Sequence, residues 1–426
     1  MGDELAILGG TPVLNGPLPS YNSIGAEEVR AVTRVMESGC LSGFYGSWSD
    51  EFFGGPMVRA FEAAWSERFQ VKHSVSVNSA TSGLFAAMGA IGIAAGDEVI
   101  VPPFTMSATV VAPLIYGGIP VFVDIEPDTF CLDLEAVSQA ITSRTKAIIA
   151  VNLFGHPARL SDLRALADRH GIWLVEDNAQ GPLSTEFGRH AGTIGHIGVF
   201  SLNYHKHIHT GEGGVCVTND DDLARRLQLI RNHGESVVGS MGIEDISNII
   251  GFNYRMTELS AAVGVEQLKK IDEHVERRQR LAEALTDGIC DLAGLTPPNV
   301  RPDCRHVYYV WALRYDEHVV GVSRETFSSA LAAEGFPHAV GYTPPLYMLP
   351  IFQRRIALGN DGYPFNSTSR EYFEGMCPVT ENMFNKELII FEPCAYDINH
   401  DEIERLIAAI RKVYLLRGKL AVISAS

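Results

Sequence analysis

Short apolar runs alternate with helical patterns between residues 74 and 219. The runs are rich in β-branched residues and occupy residues 98–101, 120–124, 147–151 and 172–176. This alternation predicts an α/β fold with a mostly parallel sheet covered by helices on both faces. Ligands of such sheets bind beyond the carboxyl ends of the strands, so the residues that follow each run are the first candidates for a site.

Helical spacing predicts further elements on either side of this region. A helix over residues 26–38 is ended by Gly39, and two more helices are expected over residues 256–271 and 274–289. A loop rich in glycine, serine and aromatic residues spans residues 41–56 and is long for a simple connection.

A proline-rich stretch at residues 295–302 is the predicted domain boundary. Beyond it the pattern predicts strands over 307–314 and 388–391, a helix over 323–334, and a last helix opened by Asn399 with Glu402 as its capping-box partner. We therefore expect three parts: an N-terminal arm (1–19), a large domain (20–295) and a smaller C-terminal α/β domain (296–426).

Composition and charge narrow the class of protein. The chain has 426 residues, 46% of them apolar, and a formal net charge of −17. A negative field of this size disfavours nucleic acid and anionic membrane surfaces, so small molecules are the expected partners. The uncharged run 99–123 is interrupted by prolines and glycines, which predicts strand, helix, turn and strand rather than a membrane span.

The expected location is the cytoplasm. The seven cysteines are an odd number, far apart, with no C-x-x-C pair, which fits a reducing compartment. Asp3 and Glu4 precede a short apolar stretch, the opposite of the basic start of a signal peptide.

Three polar segments follow predicted strands and carry candidate chemistry. Residues 78–83 open a helix, where free N–H groups and the hydroxyls of Thr81 and Ser82 are suited to a phosphate. Asp177 ends an apolar strand, where a carboxylate needs a cationic partner such as a pyridinium N–H. Lys206 lies between two histidines in a glycine-rich loop, and cationic neighbours favour the neutral amine. Together these groups are what a phosphorylated aromatic cofactor requires.

Plainer interpretations stand beside this one. The polar residues at 78–83 are also ordinary helix caps, and Asp177 could face solvent. His205, His207 and His209 would share one face of a strand and could bind a metal ion. The sequence contains no G-x-G-x-x-G motif between strand and helix, which disfavours a nicotinamide dehydrogenase, and no G-x-x-x-x-G-K-[ST] phosphate loop.

Taken in order, several motifs resemble the DegT/DnrJ family of sugar aminotransferases. They are Val175-Glu-Asp-Asn-Ala-Gln180, Phe200-Ser201, Lys206, Gly211-Glu-Gly-Gly214 and Gly251-Phe-Asn-Tyr-Arg-Met256. The resemblance covers nearly the whole chain. It implies pyridoxal 5'-phosphate as the cofactor and the type I fold of aspartate aminotransferase.

The resemblance also implies a role for each matching residue. Lys206 matches the Schiff-base lysine, and Asp177 matches the carboxylate on the pyridine nitrogen. The remaining matches are Gln180 near the phenolic oxygen, Thr81, Ser82 and Ser201 on the phosphate, and Asn253 on the phosphate of the other subunit. Met106 stands where the family usually has an aromatic side chain stacked on the ring, a place that a thioether can also take.

The implied activity is transfer of an amino group from L-glutamate or L-glutamine to a keto-sugar or keto-cyclitol by a homodimer with shared active sites. Two segments are candidates for contact with the acceptor, residues 44–53 and 341–347. Related dehydratases use a histidine in place of the lysine, so Lys206 disfavours that activity. A non-catalytic regulator that binds the cofactor is a further alternative.

Overall fold

The computed structural model describes residues 4–422, and its centre is a seven-stranded sheet. The strands are β1 (His73–Val77), β2 (Glu98–Val101), β3 (Ile119–Phe122), β4 (Thr145–Val151), β5 (Trp173–Asp177), β6 (Ile197–Ser201) and β7 (Gly214–Thr218). Their order is β1-β7-β6-β5-β4-β2-β3. Only β7 runs antiparallel to its neighbours, β1 and β6. The predicted mostly parallel sheet is confirmed.

Burial on both faces explains the uninterrupted apolar runs of the central strands. Ile149 of β4 and Val175 of β5 belong to the hydrophobic core on one face. Their neighbours Ile148 and Leu174 belong to the core on the other face. Because successive side chains of a strand point to opposite faces, a strand that is covered on both sides is apolar at consecutive positions.

Helices cover the sheet and build the smaller domain. They span Ala26–Ser38, Pro56–Phe69, Ala80–Ala90, Ser107–Val111, Leu134–Ala140, Leu160–His170, Asp221–Arg231, Val238–Met241, Glu258–Asp287, Glu317–Val320, Arg324–Ala333, Pro350–Gln353, Pro378–Asn382 and His400–Leu415. The predicted helix 26–38 is confirmed, and so are the strand, helix and strand inside residues 99–123.

The two helices predicted over 256–289 are in fact one helix, Glu258–Asp287. Thr257 caps its start by accepting the N–H of Ser260 at 3.1 Å. The segment where we expected a break contains neither glycine nor proline, and Ile271 and Val275 both continue the buried stripe. The helical period therefore runs through the predicted gap.

The smaller domain contains an antiparallel sheet of β8 (Leu295–Thr296), β9 (Trp311–Tyr315), β10 (Ala339–Val340) and β11 (Leu388–Phe391), ordered β8-β9-β11-β10. The predicted strand 388–391 and the Asn399–Glu402 capping box are confirmed. The strand predicted over 307–314 begins later, at Trp311. The residues before it turn toward the large sheet, where the Val307 carbonyl contacts His207.

A segment that we call the strap, residues 342–382, runs from the small sheet back across the edge of the central sheet. Arg370 pairs with the buried Glu98 of β2 at 3.0 Å, and the Tyr372 hydroxyl donates to the Pro120 carbonyl at 2.9 Å. Tyr347, Phe352 and Tyr372 also join the core beside β3. The boundary at 295/296 stays a prediction, with the added finding that residues beyond it complete the core of the large sheet.

The described part of the N-terminal arm packs on the smaller domain. Leu5 and Leu14 are buried in its core, and the Glu334 carboxylate accepts the Ala6 N–H at 2.8 Å and the Val13 N–H at 3.1 Å. Residues 1–3 of the predicted arm lie outside the described residues. No helix within 4–422 is long and apolar enough to cross a bilayer.

Candidate active site

A cavity of about 240 Å³ lies at the carboxyl ends of the parallel strands. Val151, Asp177 and Ser201 are the last residues of β4, β5 and β6, and all three line it. Six of the eight predicted site residues contribute to its wall: Thr81, Met106, Asp177, Gln180, Ser201 and Lys206. The chemistry predicted from separate segments therefore meets at one edge of the sheet, as expected for this architecture.

Asp177 is buried and held by two hydrogen bonds. The Thr109 hydroxyl donates to one carboxylate oxygen at 2.6 Å, and the Ala179 N–H donates to the other at 3.1 Å. Burial raises the pKa of Asp177, while these donors and Lys206 oppose that rise. Its neighbour Glu176 points to the other face of β5, where it accepts N–H groups of the 192–195 loop. The strand thus presents a single carboxylate to the cavity.

Lys206 brings an amine into the same cavity. Its Nζ atom lies 4.2 Å from the centre of the Tyr309 ring. Burial lowers the pKa of Lys206 to about 8, although the charge of Asp177 acts in the opposite direction. Lys206 is half-buried, and its lowered pKa increases the share of the neutral amine, which is the nucleophilic form.

The N-terminus of the helix Ala80–Ala90 forms another part of the wall. Ser79 caps this helix by accepting the Ser82 N–H at 3.1 Å. The first N–H groups of any helix lack intrahelical acceptors, which suits the wall positions Ala80 and Thr81 to an anion. Gly214 permits the close approach of β7, since a Cβ atom there would lie 2.7 Å from the Ala80 nitrogen.

Gln180 and Met106 lie elsewhere in the wall. The Gln180 amide accepts the Phe154 N–H at 2.7 Å and donates to the Tyr342 hydroxyl at 2.9 Å. The Met106 side chain is 61% exposed and precedes the helix Ser107–Val111. A flexible, polarisable side chain in this position is free to cover a planar ligand.

Two predicted site residues lie outside the cavity wall of the described chain. The Ser82 hydroxyl donates to the Asn78 side chain at 2.6 Å instead. Asn253 is exposed, and its side-chain oxygen accepts from Arg255 at 2.7 Å. The phosphate roles of both residues stay predictions.

The alternative of a histidine metal site depended on a strand over His205, His207 and His209. The structure has a loop there instead of a strand. The Nε2 atom of buried His207 lies 2.9 Å from the Val307 carbonyl, while His205 is exposed. Residues 4–422 contain no group of three His, Cys, Asp or Glu side chains suited to a metal ion.

The sequence analysis missed three side chains of this site. Thr109 holds Asp177, Tyr309 contacts Lys206, and Tyr342 binds Gln180. Only Tyr342 fell within a proposed substrate segment, 341–347. Of the other proposed segment, 44–53, no residue contributes to this cavity in the described chain, and Trp48 borders a separate open groove.

The residues present fit a phosphorylated pyridine cofactor. The side chain of Asn203 in the cavity wall has a buried oxygen without a hydrogen-bonding partner among the described residues. A carboxylate, a lysine and a helix N-terminus line one cavity, which is the donor set that such a cofactor requires.

Comparisons with known proteins agree with this arrangement. L-glutamine:2-deoxy-scyllo-inosose aminotransferase of Streptoalloteichus tenebrarius is 36% identical over 433 residues, covering 98% of this chain and 99% of that protein. GDP-perosamine synthase of Caulobacter vibrioides is 36% identical over 315 residues, covering 72% and 84%. The crystal structure of S. venezuelae DesV in complex with a ketimine intermediate has a TM-score of 0.77 at 31% identity, covering 91% of this chain and 94% of that one.

Fold, site and relatives together define an aminotransferase built on a mostly parallel α/β sheet. The model of the DegT/DnrJ/EryC1/StrS aminotransferase family matches residues 22–411. The chain belongs to this family, and the resemblance described above is confirmed.

Proposed function

We propose that this enzyme transfers an amino group from L-glutamine or L-glutamate to a keto-cyclitol, with pyridoxal 5'-phosphate bound at Lys206. The observation that carries the proposal is the meeting of a half-buried lysine, a buried carboxylate and a helix N-terminus in one cavity. The cyclitol is favoured because the scyllo-inosose aminotransferase matches this chain over nearly its entire length.

A nucleotide-linked keto-sugar is the second candidate acceptor. It is favoured by the similarity to GDP-perosamine synthase, which covers 72% of this chain. Both acceptors offer a ring ketone, so the same catalytic residues would serve either reaction.

Asp177 and Lys206 carry the chemistry in this proposal. When bound, the cofactor supplies a conjugated ring that withdraws electrons from the substrate carbon and carries the amino group between the two substrates. Asp177, fixed by Thr109 and the Ala179 N–H, holds a proton at the ring nitrogen. Lys206, whose pKa burial lowers to about 8, would take the proton from the substrate carbon that bears the amino group and return it to the cofactor carbon on the other side of the amino nitrogen.

The remaining predicted residues would orient the cofactor. Thr81 and Ser201 lie in the cavity wall on the side of the helix N-terminus and would bind the phosphate together with Ser82. Gln180 would contact the phenolic oxygen, and Met106 would cover the ring.

We also propose a homodimer in which Asn253 completes the site of the partner subunit. Its support is that Asn253 is exposed and outside the cavity of its own chain. The adjoining backbone is nevertheless fixed, because the Asn78 N–H donates to the Tyr254 carbonyl at 2.8 Å. A cytoplasmic location is proposed on the seven free cysteines, which all lie within the described residues.

A two-stage assay tests the activity. The enzyme loaded with pyridoxal phosphate is first incubated with L-glutamine or L-glutamate, then freed of donor and offered scyllo-inosose, 2-deoxy-scyllo-inosose or nucleotide-linked keto-sugars. We expect an aminated cyclitol, and none from Lys206→Ala. Amination of nucleotide-linked sugars alone would favour the second candidate, and no transfer to any keto acceptor would contradict the proposal.

A further inference from the structure

The orientation of the Gln180 amide is fixed by the chain itself. A backbone N–H group can only donate, so the Phe154 N–H identifies the oxygen end of the amide. The nitrogen end therefore faces Tyr342, whose hydroxyl oxygen accepts from it at 2.9 Å.

This arrangement directs two hydrogen-bond donors at the cavity. A hydroxyl that accepts from Gln180 must send its own proton elsewhere, and Gln180 has a second N–H. Within residues 4–422 the Tyr342 hydroxyl makes no other hydrogen bond, and both side chains line the cavity. Burial raises the pKa of Tyr342 to about 12, so the hydroxyl stays protonated and able to donate.

The backbone is strained at both hydrogen-bond partners of the Gln180 amide. Phe154 has φ 59° and Tyr342 has φ 70°, a left-handed conformation that bulky residues rarely adopt. Packing retains it, since the Tyr342 ring meets the rings of Phe104 and Phe154 edge-on at 5.5 and 4.9 Å. The Gly341 N–H also anchors this turn to the Leu388 carbonyl at 3.0 Å. Strain of this kind concentrates at functional sites.

We propose that Tyr342 is a positioning residue that fixes the Gln180 amide and completes with it a pair of donors for the phenolic oxygen of pyridoxal phosphate. This role rests on the proposed function. An anionic oxygen is the acceptor best matched to two neutral donors, because hydrogen bonds to a charged partner are the stronger ones. The strap would then reach the cofactor from the smaller domain.

The role has a spectroscopic consequence. The phenolic oxygen carries its full negative charge when the lysine-bound chromophore is deprotonated, so donors to that oxygen favour the deprotonated form. Loss of one donor should therefore raise the pKa of the chromophore, by about one unit for a tenfold change in the equilibrium. The titratable groups around Tyr342 are Asp177, Glu392 and Tyr309, and they are the same in every variant below.

The experiment is a pH titration of the visible absorption of the loaded enzyme, without substrate. Tyr342→Phe keeps the ring and removes only the hydroxyl, and Tyr347→Phe is the matched control. The Tyr347 hydroxyl lies on the same strap but binds Glu381 and does not line the cavity. Gln180→Leu and the double variant test whether Tyr342 acts through Gln180.

We expect a chromophore pKa about one unit higher in Tyr342→Phe and no change in Tyr347→Phe. The chromophore pKa of the double variant, Gln180→Leu with Tyr342→Phe, should differ from that of Gln180→Leu by less than the shift that Tyr342→Phe causes alone. An unshifted chromophore, or fully additive effects, would contradict the role. A raised KM for the keto acceptor with an unshifted chromophore would assign Tyr342 to substrate and also overturn it. Failure to bind the cofactor at Lys206 in the unmutated enzyme would instead contradict the proposed function.

Discussion

The Thr109 hydroxyl lies 2.6 Å from a carboxylate oxygen of Asp177, and both residues are buried. The two are 68 positions apart in the sequence, so only the fold brings them together. Burial raises the pKa of Asp177, and this donor opposes that rise, which keeps Asp177 closer to its ionised form.

Removing the Thr109 hydroxyl should shift the acidic limb of the pH–activity profile. In Thr109→Val the pKa of Asp177 rises further, so we expect the acidic limb of the kcat profile to move to higher pH. A hydrogen bond to a charged group is worth about 1.5 kcal/mol, so the acidic limb should move by about one pH unit. Thr129→Val, which removes a comparable bond to Glu126 outside the cavity, is the control. Identical pH profiles for the two variants would exclude Thr109 from this role.

Asp177 also sets the reactivity of Lys206. The rate at which the apoprotein captures pyridoxal phosphate should increase with pH and level off above about 8, because the neutral amine is the nucleophile. The charge of Asp177 raises the pKa of Lys206, so Asp177→Asn should move this inflection to lower pH. The same variant should lose about 100-fold in kcat, as expected for a proton-holding group. Stopped-flow absorbance measures capture, and an inflection that does not move would contradict the coupling.

Subunit mixing tests the role of Asn253. Lys206→Ala and Asn253→Asp should each be impaired alone. When the two are refolded together, a mixed dimer places both lesions in one site and leaves the other site intact, so about half of the dimers should regain one active site. If mixing is demonstrated and no activity returns, Asn253 does not serve the partner subunit.

A buried ion pair should hold the N-terminal arm on the smaller domain. Lys412 and Glu334 are both buried and lie 2.9 Å apart, and Lys412 also donates to the Thr11 carbonyl at 2.8 Å. Lys412→Met leaves Glu334 as an uncompensated buried charge, which should lower the free energy of unfolding by about 3–5 kcal/mol.

Urea denaturation measures the effect of this change. Arg225→Met is the control, because it breaks the exposed pair with Asp222 and should change stability by less than about 0.5 kcal/mol. Glu334→Gln in the Lys412→Met background should restore part of the loss. Equal stabilities of Lys412→Met and the control would show that the pair contributes little.

The sequence predicted the parts of the site that follow strands. Asp177 and Ser201 end strands and Lys206 follows one, so local pattern and strand topology were sufficient to place them at one edge of the sheet. Thr109 lies 68 positions from its partner Asp177, and Tyr342 lies 162 positions from its partner Gln180. Neither contact has a local signature, since both depend on how the helices and the strap pack.

Some boundaries of helices and strands can be predicted from the local sequence, whereas others depend on tertiary packing. The helix 26–38 was predictable because Gly39 adopts the left-handed conformation that ends it. The break expected near residue 272 was wrong because the buried stripe of the helix continues through it, from Ile271 to Val275. The strand expected from Val307 starts at Trp311, because the preceding residues bind the large domain instead.

The most direct test of the central claim is borohydride reduction of the enzyme loaded with pyridoxal phosphate, followed by peptide mapping. The account predicts a visible absorption band that reduction removes and a single reduced adduct on Lys206, with no such adduct in Lys206→Ala. An adduct on a different lysine, or a protein that stays colourless after incubation with the cofactor, would contradict it.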